Sequence, residues 1–169
     1  MRSIDNRAFD MIDDEHLADL ARIYSNKALD TYSDYGVGAI LVAHVSGEWY
    51  VYAGFNINLS GMECKIHAEQ LAAFQLLLDI SNDMEVHETM VEEVTLEKVI
   101  VVTSDNDGAV KCGHCFQTLN GICNYLESDP EKLKYIGAKK ISSDNWEFSR
   151  ASLAERFPGS YVDTRADTE

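Results

Sequence analysis

The chain has no apolar run approaching the roughly 20 residues that a membrane-crossing helix needs. Its start, "MRSIDNRAFDMIDDEH", has no apolar core of the kind that marks a secretory signal, so a cytoplasmic location is expected. Cations are scarce. Fourteen lysines and arginines face 29 acidic residues, a formal net charge of −15. Binding to polymeric nucleic acid depends on cations that neutralise phosphates, so that partner class is not expected. Cysteine is sparse too: Cys64, Cys112, Cys115 and Cys123 suggest reduced thiols or metal ligands rather than a disulfide framework. No repeat, low-complexity segment or linker divides the 169 residues, which suit one domain with its own core, about residues 15–158.

What is present alternates between helical and extended patterns. Leu17, Leu20, Ala21, Tyr24, Ala28 and Leu29 recur at helical spacing and predict a helix over 15–31. "VGAILVAHV" and "EWYVYAGFNI" predict a hairpin closed by "SGE". A second helix is expected over 65–80, with Leu71, Phe74, Leu77 and Leu78 as its core face. Residues 81–97 hold six acidic and no basic residues and read as a solvated excursion. "KVIVVTSD" is a short, nearly all-apolar strand of the kind covered on both faces. A third helix opens near Cys112, "KYIGAKKIS" and "NWEFS" are the last strands, and "RASLAERF" is a final short helix. The pattern predicts an α/β protein, a three-layer α/β/α sandwich around one mixed sheet.

Two short motifs carry the chemistry. Cys112 and Cys115 are three positions apart at a helix start, where the helix dipole favours the thiolate that binds metal. Two thiolates do not complete a zinc site, and His67 is the leading third ligand because it too opens a helix after a strand. Adjacent parallel strands would set the two helix starts side by side. On spacing alone a closed structural site remains open, with Cys64, His114 or Cys123 as a fourth ligand; Cys64 is the strongest of these and His114 would most easily point away. Glu69 favours the open, hydrolytic alternative, since a structural zinc has no use for an adjacent carboxylate and a hydrolytic one needs a proton carrier. HxE followed by CxxC is the known signature of zinc deaminases of nucleobases.

At this point the sequence resembles the cytidine deaminase family. "YSDYGVGAIL" is similar to the family's YSxFxVGAAL, "GFNIN" to its GxNxEN, and "VTSD" before the CxxC and "LAERFP" near the end also fit. The resemblance implies a cytidine deaminase-like fold and hydrolytic deamination of cytidine or deoxycytidine in pyrimidine salvage. It implies Zn²⁺ on His67, Cys112 and Cys115, with Glu69 as proton shuttle. It also implies Asn56 on a ribose hydroxyl, Tyr35 against the base, and the Val110 carbonyl accepting from the leaving amine. A homo-oligomer is implied as well, a tetramer ahead of the dimer of the HAEQ-bearing branch.

The chain departs from the pattern at Lys111 (proline in the family), Phe116 (arginine) and Gln70 (arginine in CAER). With one histidine and two thiolates around Zn²⁺ the net charge is zero, so a nearby arginine is not needed. Asn58 stands where the family has a ribose-binding glutamate. A carboxylate grips a hydroxyl about twice as strongly as a neutral acceptor, so Asn58 predicts a raised KM for cytidine, and Asn58→Glu would improve it. A different amine, such as a nucleoside antibiotic of the blasticidin S kind, a free base or a modified pyrimidine, is the alternative substrate class; a non-catalytic zinc-binding module is the alternative to an enzyme.

Overall fold

The computed structural model describes residues 12–31, 33–59, 65–82, 94–105, 112–143 and 145–156. Helix α1 (Asp14–Ser25) starts on Asp13, whose carboxylate accepts the His16 amide at 2.9 Å, and carries Asp14 and Glu15 in its first turn. The expected helix over 15–31 therefore stops early. Residues Leu29–Asp30 form a two-residue strand, β1, paired in parallel with β4 (Ile57–Asn58). Leu29 is about half exposed, so its helical spacing served no core.

Strands β2 (Val37–Val45) and β3 (Glu48–Phe55) form the expected hairpin. Its loop is Ser46–Gly47, both with positive φ, 49° and 86°, the twist that suits a two-residue hairpin turn. Helix α2 (Ala68–Asn82), β5 (Val94–Thr103), α3 (Gly113–Tyr125), β6 (Lys134–Ser142), β7 (Asn145–Ser152) and the short α4 (Leu153–Arg156) follow. The sheet runs β3-β2-β5-β6-β7, with only β5 and β6 parallel. The fold is α/β, with a mixed five-stranded sheet covered by helices on both faces.

Alternation along β5 sorts the two cores. Val99 and Val101 face α2 and α3 together with Ala39 and Leu41 of β2. Ile100 and Val102 face α1 together with Ile40 and Val42. β5 begins at Val94, four residues inside the stretch expected to be a solvated excursion. Val94 and Leu96 are buried, and Glu97 finds Lys134 at 3.1 Å, so acidic composition masked a strand. Residues 83–93 of that stretch lie outside the described residues.

Helix α2 packs with a different face from the one its leucines suggest. Ala68, Ala72, Ala73, Leu76 and Ile80 are buried, whereas Phe74 and Leu78 are 41% and 59% exposed. The reason is close approach to β3. A Cβ on Gly54 would collide with the Ala68 carbonyl and lie 2.7 Å from the Ala72 amide nitrogen, so only small side chains fit there. The strands leading to the two helix starts also differ from expectation. β3 and β5 are parallel but not adjacent, because β2 runs antiparallel between them. The helix starts meet because α2 and α3 share one face of the sheet.

Candidate active site and metal centre

His67 precedes α2 by one residue and is held by that helix's own backbone. Its carbonyl accepts the Leu71 amide at 3.0 Å, and its amide donates to Gln70 Oε1 at 3.0 Å, a capping bond that reaches back from the first turn. Gln70 also donates through Nε2 to Thr118 Oγ1 at 3.0 Å, tying the start of α2 to α3. Across that tie, Cys112 caps α3 in extended conformation, and its thiol makes no capping hydrogen bond. Both sulfurs instead face the imidazole: His67 Nδ1 lies 3.2 Å from Cys115 Sγ and 3.4 Å from Cys112 Sγ. All three ligating atoms lie within 4.8 Å of one another.

This donor set fits zinc. Tetrahedral coordination with the usual Zn–N and Zn–S bonds would separate nitrogen from sulfur by about 3.5 Å, near the observed spacings. The electrostatics agree. Burial, then the neighbouring Glu69 carboxylate and Cys112, hold the Cys115 thiol far above the ordinary thiol range. Two thiols and a carboxylate packed this closely ask for a divalent cation, which would deprotonate a coordinated thiol outright. His67, Cys112 and Cys115 are thus a group that can hold a metal ion.

The other sequence candidates divide. His114 is exposed on the outer side of α3, its ring 6.3 Å from that of His67, and it is not part of the cluster. Cys123 is a free, fully buried thiol pushed up to about 12 by burial and then by Asp129, so it is core packing. Cys64, Val110 and Lys111 lie outside the described residues.

Glu69 is 3% exposed and lines a cavity of about 500 Å³ beside His67 and Cys112. Its Oε1 accepts a hydrogen bond from the Tyr135 hydroxyl at 2.9 Å. Burial, then the charge of Glu69, raise the Tyr135 phenol well above its usual range, so it stays a donor. Phe116 packs edge-on against the Tyr135 ring, centroids 4.8 Å apart, which gives the non-arginine at 116 a role.

A second wall of the cavity comes from β1, β4 and the approach to β2. Tyr35, Asn56 and Asn58 all line it. Asn56 does structural work there: Oδ1 accepts the Val37 amide at 2.6 Å and Nδ2 donates to the Tyr35 carbonyl at 3.0 Å. After those bonds its amide keeps capacity for one more bond as donor and one as acceptor. Asn58 Nδ2 donates to Asp30 Oδ1 at 3.1 Å, and Asp30 also accepts from the Ser33 amide and hydroxyl. Sequence reasoning missed Asp30, Gln70 as a cap, Thr118 and Tyr135. The first was hidden in an expected helix, Gln70 caps the His67 amide three positions away, and Thr118 and Tyr135 act through partners 48 and 66 positions away.

No family model matches the sequence, and neither does any curated protein. Solved structures do match. The cytidine deaminase of Burkholderia pseudomallei superposes with a TM-score of 0.63 at 21% identity, over 89% of this chain and 100% of that one. The cytidine deaminase of Mycobacterium tuberculosis gives 0.58 at 19% identity, over 89% and 98%. That of Mycobacterium leprae gives 0.56 at 17%, over 87% and 98%. The fold of this chain is cytidine deaminase-like. Among the described residues no helix is long and apolar enough to cross a membrane.

Proposed function

We propose that this chain is a hydrolytic deaminase that replaces an exocyclic amine of a small nucleoside with oxygen and releases ammonia, with cytidine or deoxycytidine as first substrates. The observation that carries the reading is the cluster of His67, Cys112 and Cys115 with Glu69 buried beside it at one cavity. Zinc held by those three residues would supply Lewis acidity and make the attacking water more acidic.

The chain's own residues do the rest. Glu69 takes a proton from the attacking water and delivers it to the ring nitrogen next to the carbon under attack. It then moves the proton of the newly attached hydroxyl to the amine, so that a C=O bond forms, the C–N bond breaks and ammonia leaves neutral. Tyr35 and the apolar Val37, Ile57 and Ile66 suit a flat heterocycle. The polar wall of Asp30, Asn56 and Asn58 suits hydroxyl groups, with Asp30 supplying a carboxylate next to Asn58. Val110 stays the proposed acceptor of the leaving amine. A homo-oligomer belongs to the same reading, a tetramer ahead of a dimer, and the exposed Phe74 and Leu78 on α2 support a covered face.

The Asp30 carboxylate, which accepts from Asn58 on the neighbouring strand, also favours a second reading within the class, an amine other than cytidine. The test is ammonia release by the zinc-loaded protein from cytidine, deoxycytidine, cytosine, isocytosine, adenosine, guanine and blasticidin S, with Glu69→Ala alongside. Cytidine is expected to lead, and Glu69→Ala to retain one zinc per chain while turnover falls by about 10²–10⁴-fold. Turnover of a sugar-free base with cytidine inert would remove the ribose roles of Asn56 and Asn58. Zinc bound without deamination of any amine would leave a binding module.

A further inference from the structure

We infer that Tyr135 is the positioning residue for Glu69, fixing the orientation in which the carboxylate meets substrate. The inference rests on Glu69 being the proton carrier of the proposed reaction.

Three observations carry it. First, Tyr135 sits at an anomalous place for a polar atom. On β6 it pairs in register with Val99 and faces the α2/α3 core with Leu133, Val99 and Val101, where a phenylalanine would fill the space. A buried hydroxyl costs free energy unless it is hydrogen-bonded. Its bond to Glu69 Oε1, at 2.9 Å, spans 66 positions of sequence.

Second, the donor is stiff. Tyr135 is 2% exposed and its ring is clamped by the edge-on Phe116, the residue that directly follows Cys115. Third, Glu69 needs such a partner. A glutamate carboxylate swings on three rotatable bonds, and Glu69 alone of this pair lines the cavity. With Oε1 tied to a rigid phenol anchored in the sheet, the carboxylate keeps one edge at the cavity beside His67. Tyr135 does not line the cavity itself, so it acts through Glu69.

The test is Tyr135→Phe, which keeps the ring and its contact with Phe116. With cytidine, or whichever amine of the screen turns over fastest, kcat should fall about 10- to 100-fold while KM stays within twofold, the effect of a misaimed reacting group. Zinc should remain at one per chain. A readout independent of turnover is the urea midpoint in a double-mutant cycle. In the wild-type background Tyr135→Phe should lower the midpoint. In the Glu69→Ala background that bond is already absent, so the same change should shift the midpoint less. Equal shifts in both backgrounds, or an unchanged kcat in an active enzyme, would overturn the inference alone. A wild-type protein inert toward every amine would overturn the reading beneath it.

Discussion

The two walls of the cavity are built in contrasting ways. One is made of helix starts, with His67 and Glu69 at the mouth of α2 and Cys112 and Cys115 at the mouth of α3, cross-tied by Gln70 and Thr118. The other is made of two-residue strands, β1 and β4, whose pairing comprises Leu29 with Ile57 and Asp30 with Asn58. In the first wall Glu69, Gln70 and Cys115 are buried, with His67, Cys112 and Thr118 half-buried; the residues of the second are half-buried or exposed. On the proposed function, chemistry that tolerates little displacement sits on rigid elements, and recognition sits where a few substitutions change what is recognised.

The strongest way to break this contrast is at the helix starts. Cys112→Ser or Cys115→Ser should drop zinc from one per chain to near zero and abolish ammonia release, as should chelation of the wild-type protein. Metal content by atomic absorption checks this. Cys64→Ser should keep both. Loss of metal on that change as complete as for Cys112→Ser would make Cys64 a ligand, close the open position, and turn the chemical wall into a structural one.

At the second wall the expected effects are smaller and fall on KM. Asp30→Ala removes a charge-assisted acceptor, for which about 1.5 kcal/mol is a low figure, so KM for cytidine should rise about tenfold with kcat within twofold. Asn58→Glu sharpens the point. From sequence alone it would restore the missing ribose carboxylate and improve kcat/KM. In the structure Asn58 already donates to Asp30, and two carboxylates would meet there instead. The expected result is a weaker KM, measured by steady-state ammonia release. A clear gain would show that Asp30 does not serve the substrate.

The same contrast explains what the sequence made legible. HxE and CxxC are local, and helix starts place such residues predictably, so the cluster of His67, Cys112 and Cys115 that can hold a metal was readable before the fold was known. The α/β alternation was readable for the same reason. The face that α2 buries was not, because it depends on how closely Gly54 lets a helix approach β3. Asp30 was misread inside a helix, since a two-residue strand has no period to detect and exists only through its partner at Asn58. Tyr135 drew no reading of its own beyond its place in the strand "KYIGAKKIS". Its function lies in a hydroxyl whose partner is 66 positions away, and no local spacing carries that.

A substitution on the opposite face of the sheet sets the baseline, since it should move neither kcat nor KM. Asp14, in the first turn of α1, accepts from Lys98 of β5 at 2.9 Å and from Arg150 of β7 at 3.0 Å, joining three elements. Partial burial alone would raise its pKa, but the bonds from Lys98 and Arg150 outweigh that and leave it lowered. A carboxylate lowered in the folded state contributes stability that is fully present above the unfolded value. That contribution is lost as pH falls through the lower folded value. The window therefore opens below about pH 3.9, the ordinary aspartate value. Urea midpoints should place Asp14→Asn below wild type at pH 7, with the gap closing as pH drops beneath that value. Turnover at pH 7 should be unchanged. A gap that persists unchanged into strong acid would mean that Asp14 stabilises through packing or helix capping rather than through its charge.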